Sequence, residues 1–341
     1  MSPVPATAPA HVRPPAPAAR SGPVALDVII PVFNEEEVLE LLLERLGQEL
    51  GPDKLSAHGV SRVRLLFVDD GSTDATARLL AQRIEAGLDA RLIRLSRNFG
   101  HQSAVCAGLD HVESELAVVM DADLQDPPEL LLPMVERWRQ GADVVFARRR
   151  RRKGNPVKRM GYWAFYRLVA FLSEIQLPLD TGDFGLLDRR VVQALRSLPE
   201  NLRFPRGLRA WVGFRQEALE YDRPERPLGR PKYTFTKLYQ LATDGIAAMS
   251  TRPLQVAQVG SFFFGLLTIA FLAMLVWGYF AAPGEIPRPF LLTYALIATG
   301  FCVQSFCLYI LGAYVGRTYL EVKGRPPYVV MEIVVPKERQ P

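Results

Sequence analysis

Apolar positions along the chain alternate between two rhythms. VALDVIIPVF, residues 24–33, holds a short β-branched run ending at Pro31, of the kind that fills a buried strand. In NEEEVLELLLERLGQEL, residues 34–50, the apolar side chains fall at Val38, Leu41, Leu42, Leu46 and Leu50. That spacing predicts a helix, with Asn34 as its N-cap and Glu35 to Glu37 in its first turn. RVRLLFVDDGSTDATARLLAQRI then predicts strand, turn and helix. RLIRLSRN predicts a third strand, SAVCAGLDHV a helix, ELAVVMDADLQD a fourth strand, PPELLLPMVERWRQG a helix and ADVVFARR a fifth strand. Strands alternating with helices predict an α/β domain, its sheet parallel or mostly parallel and covered on both faces.

The end of the chain follows another rule. No charged residue occurs between Arg252 and Glu285, nor between Arg288 and Arg317. A membrane-crossing helix needs about 20 apolar residues. Two transmembrane helices are expected, at 254–281 and 290–316, with APGEIPRP as the turn between them. Lys232, Lys237 and Arg252 precede the first span, and Arg317, Lys323 and Arg325 follow the second. The positive-inside rule puts both flanks in the cytoplasm.

Composition adds three points. Residues 1–23 are rich in Pro and Ala and lack the continuous apolar core of a signal peptide, so a disordered tail is expected there. Three cysteines without a CxxC spacing, and four scattered histidines, argue against a disulfide framework or a zinc site. The net charge of +5 is spread along the 341 residues, and no nucleic-acid-binding module is present.

Candidate chemistry collects where the predicted strands end. PVFNEEE (31–37), DDGSTD (69–74) and DADLQDPPE (121–129) each follow an apolar run. In an open α/β sheet, ligands bind at the carboxyl ends of the strands, so these acidic segments should converge. Their carboxylates would repel one another without a positive partner. A hard divalent cation, Mg2+ or Mn2+, shared with a substrate phosphate would relieve that repulsion.

PVFNEEE, VDDGSTD, LSRNFGHQSA and MDADLQDPPE, in that order and spacing, resemble the family-2 glycosyltransferases of the GT-A fold. More narrowly, the chain resembles the polyprenyl-phosphate glycosyltransferases, over about Leu26 to Val330. The resemblance implies a Rossmann-like GT-A nucleotide-sugar transferase domain at 24–233 and a juxtamembrane amphipathic helix at 234–252. The membrane hairpin would occupy 253–316 and a cytoplasmic segment 317–341. It further implies that Pro31, Phe33, Glu35, Asp69, Asp70, Asp121 and Arg206 bind the nucleotide-sugar, with Asp70 meeting the base and Asp69 supporting the turn. Asp121, Asp123 and Gln125 would hold Mg2+ or Mn2+. Asp183, in a turn near the donor sugar, would contact that sugar, and Arg226 and Lys232 would neutralise the leaving diphosphate. Arg148 and Arg159 would bind the acceptor phosphate. Residues 158–172 read as an interfacial helix, with Tyr162, Trp163 and Phe165 among Lys158, Arg159 and Arg167.

The expected reaction is a single inverting displacement, because a phosphate acceptor is already ionised and needs no general base. Asp121 or Asp183 could act as base if the acceptor were a hydroxyl. UDP-glucose leads among donors, with an aminoarabinose derivative, galactose or mannose open, and with GDP open beside UDP. The expected partners are a polyprenyl (undecaprenyl) phosphate, the inner-membrane bilayer and further copies of the chain in a homotetramer. The sequence RPPYVVMEIVV is the expected strand exchanged between those copies. No QxxRW-like motif of processive synthases is found.

Overall fold

The computed structural model describes residues 20–150, 181–200, 203–222, 224, 250–281 and 288–336. The expected acceptor residue Arg159, the loop residues Arg226 and Lys232 and the expected juxtamembrane helix lie outside the described residues.

In chain order the elements are β1 (Val24–Val32), α1 (Glu36–Glu49), α2 (Pro52–Ala57), β2 (Val60–Asp69), α3 (Thr76–Glu85), β3 (Ala90–Leu95), α4 (His101–Asp110) and β4 (Leu116–Val119). A 3-10 turn (Pro128–Leu130) leads into α5 (Leu131–Arg139), followed by β5 (Val144–Arg149). After the undescribed stretch come β6 (Thr181–Asp188), α6 (Arg189–Ser197), α7 (Pro205–Trp211) and β7 (Gln216–Tyr221). Two long helices, α8 (Arg252–Ala281) and α9 (Arg288–Val322), precede β8 (Val330–Val334).

The strands form one sheet in the order β7-β5-β6-β4-β1-β2-β3-β8. β1 pairs in parallel with β2 and β4, β2 with β3, and β5 with β7. β6 runs antiparallel between β4 and β5, and β8 runs antiparallel to β3. Successive strand residues feed opposite faces. Val28 and Ile30 of β1 join Val38, Leu42 and Leu46 of α1, Leu80 of α3 and Trp138 of α5 in one core. Ile29, between them, joins Val105 of α4, Val191 and Leu195 of α6 and Leu208 of α7 in the other. At the opposite end of the sheet, fully buried Asp27 accepts both nitrogens of Arg64 and the amides of Glu113 and Ser114.

Three sequence expectations change. Asn34 does not cap α1: it sits at φ 52° outside the helix, and its Oδ1 accepts from the Thr73 amide at 2.8 Å. Asp183, expected in a turn, lies instead in strand β6 (TGDFGLLD), inside the sheet. Phe184 and Leu186 face one core and Leu187 the other, so burial on both sides hides the alternation that would mark a strand. Gly185 is required there, because a Cβ would lie 2.8 Å from the Val145 carbonyl. The C-terminal strand, expected to cross to another copy, pairs with β3 of its own chain, and Glu332 forms an ion pair with Arg94.

The helices α8 and α9 pack on each other and carry apolar side chains all round. Phe262 is 70% exposed and Trp277 77%. Two stretches, Arg252–Ala273 and Thr299–Val322, are long and apolar enough to cross a membrane, and neither is buried in the fold. At the base of the pair, Tyr314 Oη donates to the Ser250 carbonyl at 2.6 Å.

Candidate active site

The parallel strands β1 to β4 all end at one edge of the sheet, and the loops leaving them are fastened to one another. In the β1–α1 loop, Asn34 holds Thr73, and the Asn34 amide donates to Ser72 Oγ at 3.0 Å. The Glu35 amide donates to Thr76 Oγ1, and Glu36 Oε2 accepts from the Ala75 amide. Asp69, fully buried, accepts from the Ser72 amide at 3.0 Å and so closes the turn after β2. Gly71 adopts φ 73°, and a Cβ on it would stand 2.6 Å from the Arg97 carbonyl carbon. Only glycine allows the β2–α3 and β3–α4 loops to touch so closely. Asp70, expected to meet the nucleotide base, has one oxygen on each of two backbone amides, Phe99 at 2.7 Å and Gly100 at 2.9 Å. Burial pushes its carboxyl up, and the two amides oppose that rise. Pro31 is buried in β1, beyond the last β1–β4 pair, Ile29–Val119, so its missing N–H breaks no ladder bond to β4. Phe33 is exposed at the mouth of the loop.

The segment DADLQD leaves β4 in a tight loop. Asp126, buried, accepts from the Asp121 amide at 3.1 Å and from Tyr221 Oη at 3.4 Å. Leu124, also buried, is held at φ 59°, a conformation rare for a bulky residue. Such strain concentrates where a loop must present specific groups. Asp123 Oδ1 accepts from the Gln125 amide at 3.1 Å.

The β4–β6 ladder ends at Val119–Gly185, and two further steps in that register bring Asp121 opposite Asp183. His101, the first residue of α4, lies against both. Its Nε2 is 3.6 Å from Asp121 Oδ1 and 3.4 Å from Asp183 Oδ2. Burial alone would lower the imidazole pKa, but Asp183 and Asp121 outweigh it and raise it to about 9, so His101 is a cation at neutral pH. Asp183 Oδ2 also accepts from Gln102 Nε2 at 3.2 Å and from an Arg206 nitrogen at 3.3 Å. Burial pushes the Asp183 carboxyl up, but Arg206, His101 and Arg209 together hold it well below the usual carboxylate range. Arg209 is buried over the Phe146 ring at 5.4 Å, and burial lowers its pKa to about 10.

The structure therefore brings Asp121, Asp123, Gln125, Asp183 and Arg206 to one edge, beside the loops of Phe33, Glu35, Asp69 and Asp70. Arg148, one residue before the end of β5 at this edge, is exposed and ion-paired with Glu220 of β7. Sequence reasoning missed His101, Gln102 and Arg209. The first two stand inside LSRNFGHQSA, directly after Gly100, where a strand-end loop enters a helix, and that position was the available signal. Arg209 sits in an ordinary helical segment and carries no such mark.

The donor set fits a hard divalent ion. Asp121 and Asp123 offer carboxylate oxygens and Gln125 an amide oxygen, on one constrained loop. Among the described residues no group of three or more His, Cys, Asp or Glu side chains is placed to hold a metal ion by itself. Mg2+ and Mn2+ accept a shell completed by water and substrate phosphates, which two carboxylates suit.

Acidic side chains balanced by His101, Arg206 and Arg209 thus gather at the carboxyl edge of an α/β sheet, where such sheets bind their ligands. The sequence model of glycosyl transferase family 2 matches residues 27–196. An uncharacterized glycosyltransferase of Synechocystis sp. is 39% identical over 91% of this chain and 96% of its own length. A prophage-derived bactoprenol glucosyl transferase of Shigella flexneri is 35% identical over 89% of this chain and 97% of its own. A prophage bactoprenol glucosyl transferase homolog of Escherichia coli is 34% identical over 90% and 99%. The chain belongs to glycosyl transferase family 2 and is a glycosyltransferase with the GT-A fold. Among solved structures, glucosyl-3-phosphoglycerate synthase from Mycobacterium tuberculosis with UDP is 20% identical, with a TM-score of 0.43 over 67% of this chain and 80% of that one. That likeness adds nothing to the fold assignment, which rests on the family match and the sheet order.

Proposed function

We propose that this enzyme transfers a sugar from a nucleotide-sugar, UDP-glucose first among them, to a polyprenyl (undecaprenyl) phosphate at the cytoplasmic face of the inner membrane. The observation that carries the reading is one chain's union of the acidic edge with an apolar helical hairpin. β1–β7 precede the hairpin and β8 follows it, yet all eight strands share a sheet. Both ends of the hairpin thus belong on the domain's side, which supports two spans and an acidic edge facing a lipid headgroup. The relatives named bactoprenol glucosyl transferases match about nine-tenths of the chain, an extent that cannot leave out the hairpin. The proposed division remains a tail at 1–23, a catalytic domain at 24–233, a juxtamembrane helix at 234–252, the spans within 253–316 and a cytoplasmic end.

In this mechanism Pro31, Phe33 and Glu35 line the nucleotide pocket, shaped by Asp69 and Asp70 through their loops. Asp121, Asp123 and Gln125 hold Mg2+ or Mn2+, which when bound supplies positive charge to the donor diphosphate. Asp183 orients the sugar, and Arg206 keeps Asp183 ionised. Arg148 and Arg159 bind the acceptor phosphate, whose ionised oxygen attacks the anomeric carbon in line. The bond to the nucleotide diphosphate breaks as the new one forms, inverting the anomeric centre. Arg226 and Lys232 neutralise the departing charge. A homotetramer is part of the proposal, tested by light scattering of the solubilised enzyme.

The deciding experiment incubates membranes carrying the enzyme with undecaprenyl phosphate and a panel of UDP- and GDP-sugars, with Mg2+, Mn2+ or a chelator. Mass spectrometry should find one glycosyl lipid, absent in chelator. No lipid product from any donor, despite nucleotide binding, would refute the acceptor.

A further inference from the structure

Three donors converge on one oxygen of Asp183. His101 Nε2, Gln102 Nε2 and an Arg206 nitrogen all lie 3.2–3.4 Å from Oδ2. The other oxygen, Oδ1, is shielded from water and has no hydrogen-bond donor among the described residues. Gln102 shows the same asymmetry. A carboxylate only accepts, so the amide nitrogen must face Asp183, and the amide oxygen turns elsewhere. That oxygen, Oε1, is likewise shielded and without a donor among the described residues.

Two orphaned acceptors on adjoining side chains cannot satisfy each other. Dry acceptors of this kind are uncommon, and each calls for a cause: a bound water or ion, stored strain or a functional role. Both belong to groups fastened at the carboxyl edge, a few ångströms from Asp121 through His101. A ligand offering two neighbouring O–H donors would satisfy both at once, and a hexose carries such pairs on its ring. A single cation would favour the carboxylate oxygen over the amide oxygen, whereas one bridging water, with two O–H groups, would serve both; a loss of affinity with a deoxy donor separates the sugar from that water.

We infer that Gln102 is a sugar-specificity residue: its Oε1, held beside Asp183 Oδ1 by the Gln102–Asp183 bond, accepts one hydroxyl of the donor sugar while Asp183 accepts its neighbour. The inference rests on the proposed nucleotide-sugar donor and names a reader of that sugar. His101 is a positioning residue in the same sense, since it steadies the oxygen that does not face the ligand.

The test uses the full-length enzyme in detergent and measures binding, so it does not depend on the lipid acceptor. Calorimetry compares UDP, UDP-glucose and the mono-deoxyglucose UDP donors, in wild type and Gln102→Met, with thermal melting as the control for folding. One hydrogen bond to a neutral hydroxyl is worth up to about tenfold in affinity. Wild type should lose about that much with at least one deoxy donor. Gln102→Met should lose about as much with UDP-glucose, lose nothing further with that same deoxy donor, and bind UDP as before. If Gln102→Met weakens UDP as much as UDP-glucose, or retains the wild-type penalty for every deoxy donor, the inference fails. A variant that does not fold leaves the wild-type series decisive: equal affinity for all deoxy donors would overturn it. Wild type that binds no UDP-glucose would overturn the proposed donor and this inference together. Binding without lipid product would overturn the acceptor alone.

Discussion

Asp70→Asn separates two roles for the aspartate that ends the second strand. In the structure its two oxygens accept from the amides of Phe99 and Gly100, at 2.7 and 2.9 Å, in a buried setting. Asparagine keeps the shape but turns one acceptor into a donor, which leaves one backbone N–H dry and facing another. An unsatisfied buried donor of this kind costs about 1–3 kcal/mol. Part of that is recovered, because burial disfavours the ionised Asp70 and a neutral amide escapes the penalty. A net loss of about 1–2 kcal/mol follows, or roughly 2–8 °C in melting temperature for a domain of about 200 residues. The assay is thermal melting of ligand-free, full-length enzyme in detergent at one fixed scan rate, with UDP and GDP affinities measured beside it. If Asp70 works as a loop clamp, melting falls by those few degrees and the preference between UDP and GDP is kept. Unchanged melting combined with lost nucleotide affinity, or an altered base preference, would refute the clamp and make Asp70 a direct ligand of the base.

Two further outcomes bear on the same edge. His101 has its pKa raised to about 9 from an ordinary 6.5, so its pairing with Asp183 and Asp121 stabilises the fold fully below about pH 6.5 and is lost as pH rises through 9. With a chelator present, wild type should lose up to about 3 kcal/mol over that window, less after solvent screening of a third-exposed ring, whereas His101→Gln should show no such slope; parallel pH–stability curves would count against the pair. Gly71→Ala places a Cβ 2.6 Å from the Arg97 carbonyl carbon and 2.7 Å from the Asn98 nitrogen at φ 73°, so it should destabilise by about 2 kcal/mol or more and weaken nucleotide binding; wild-type melting and affinity would show that the loops do not need their contact.

Most strands and helices were legible in the sequence because each carries one clear period. β1, β2 and β4 are β-branched runs that fill both cores, and α1 shows its buried stripe at Val38, Leu42 and Leu46. The hairpin was legible from the charge gaps, though α9 runs to Val322, beyond the expected end at 316. β6 was not legible, because glycines at 182 and 185 and an aspartate at 183 give a strand the composition of a turn. Gly185 answers a contact, with the Val145 carbonyl, that exists only once the sheet is assembled. The acidic half of the site could be read from strand ends. Of the cationic half only Arg206 was legible, through the family resemblance; His101 and Arg209 stand on α4 and α7 and meet Asp183 only once the chain is folded.

That division has a physical cause. A carboxylate cluster announces itself because several acidic residues on consecutive loops have no packing rationale. The charges that balance it need no such clustering, because each has only to reach the cleft from its own helix. Asp183 shows the consequence. Its neighbours in sequence suggest a turn, while its partners in space fix one oxygen and leave the other without a donor. The loops after β1, β2 and β3 are bound to one another through Asn34, Asp69, Asp70 and Gly71. Under the proposed function, ligand contact falls to groups the clamps leave over: Phe33 at the mouth, the Asp121 and Asp123 side chains, and the orphaned oxygens of Gln102 and Asp183. A substitution in a clamp should therefore act on stability and binding together, whereas a substitution at exposed Phe33 should act on binding alone.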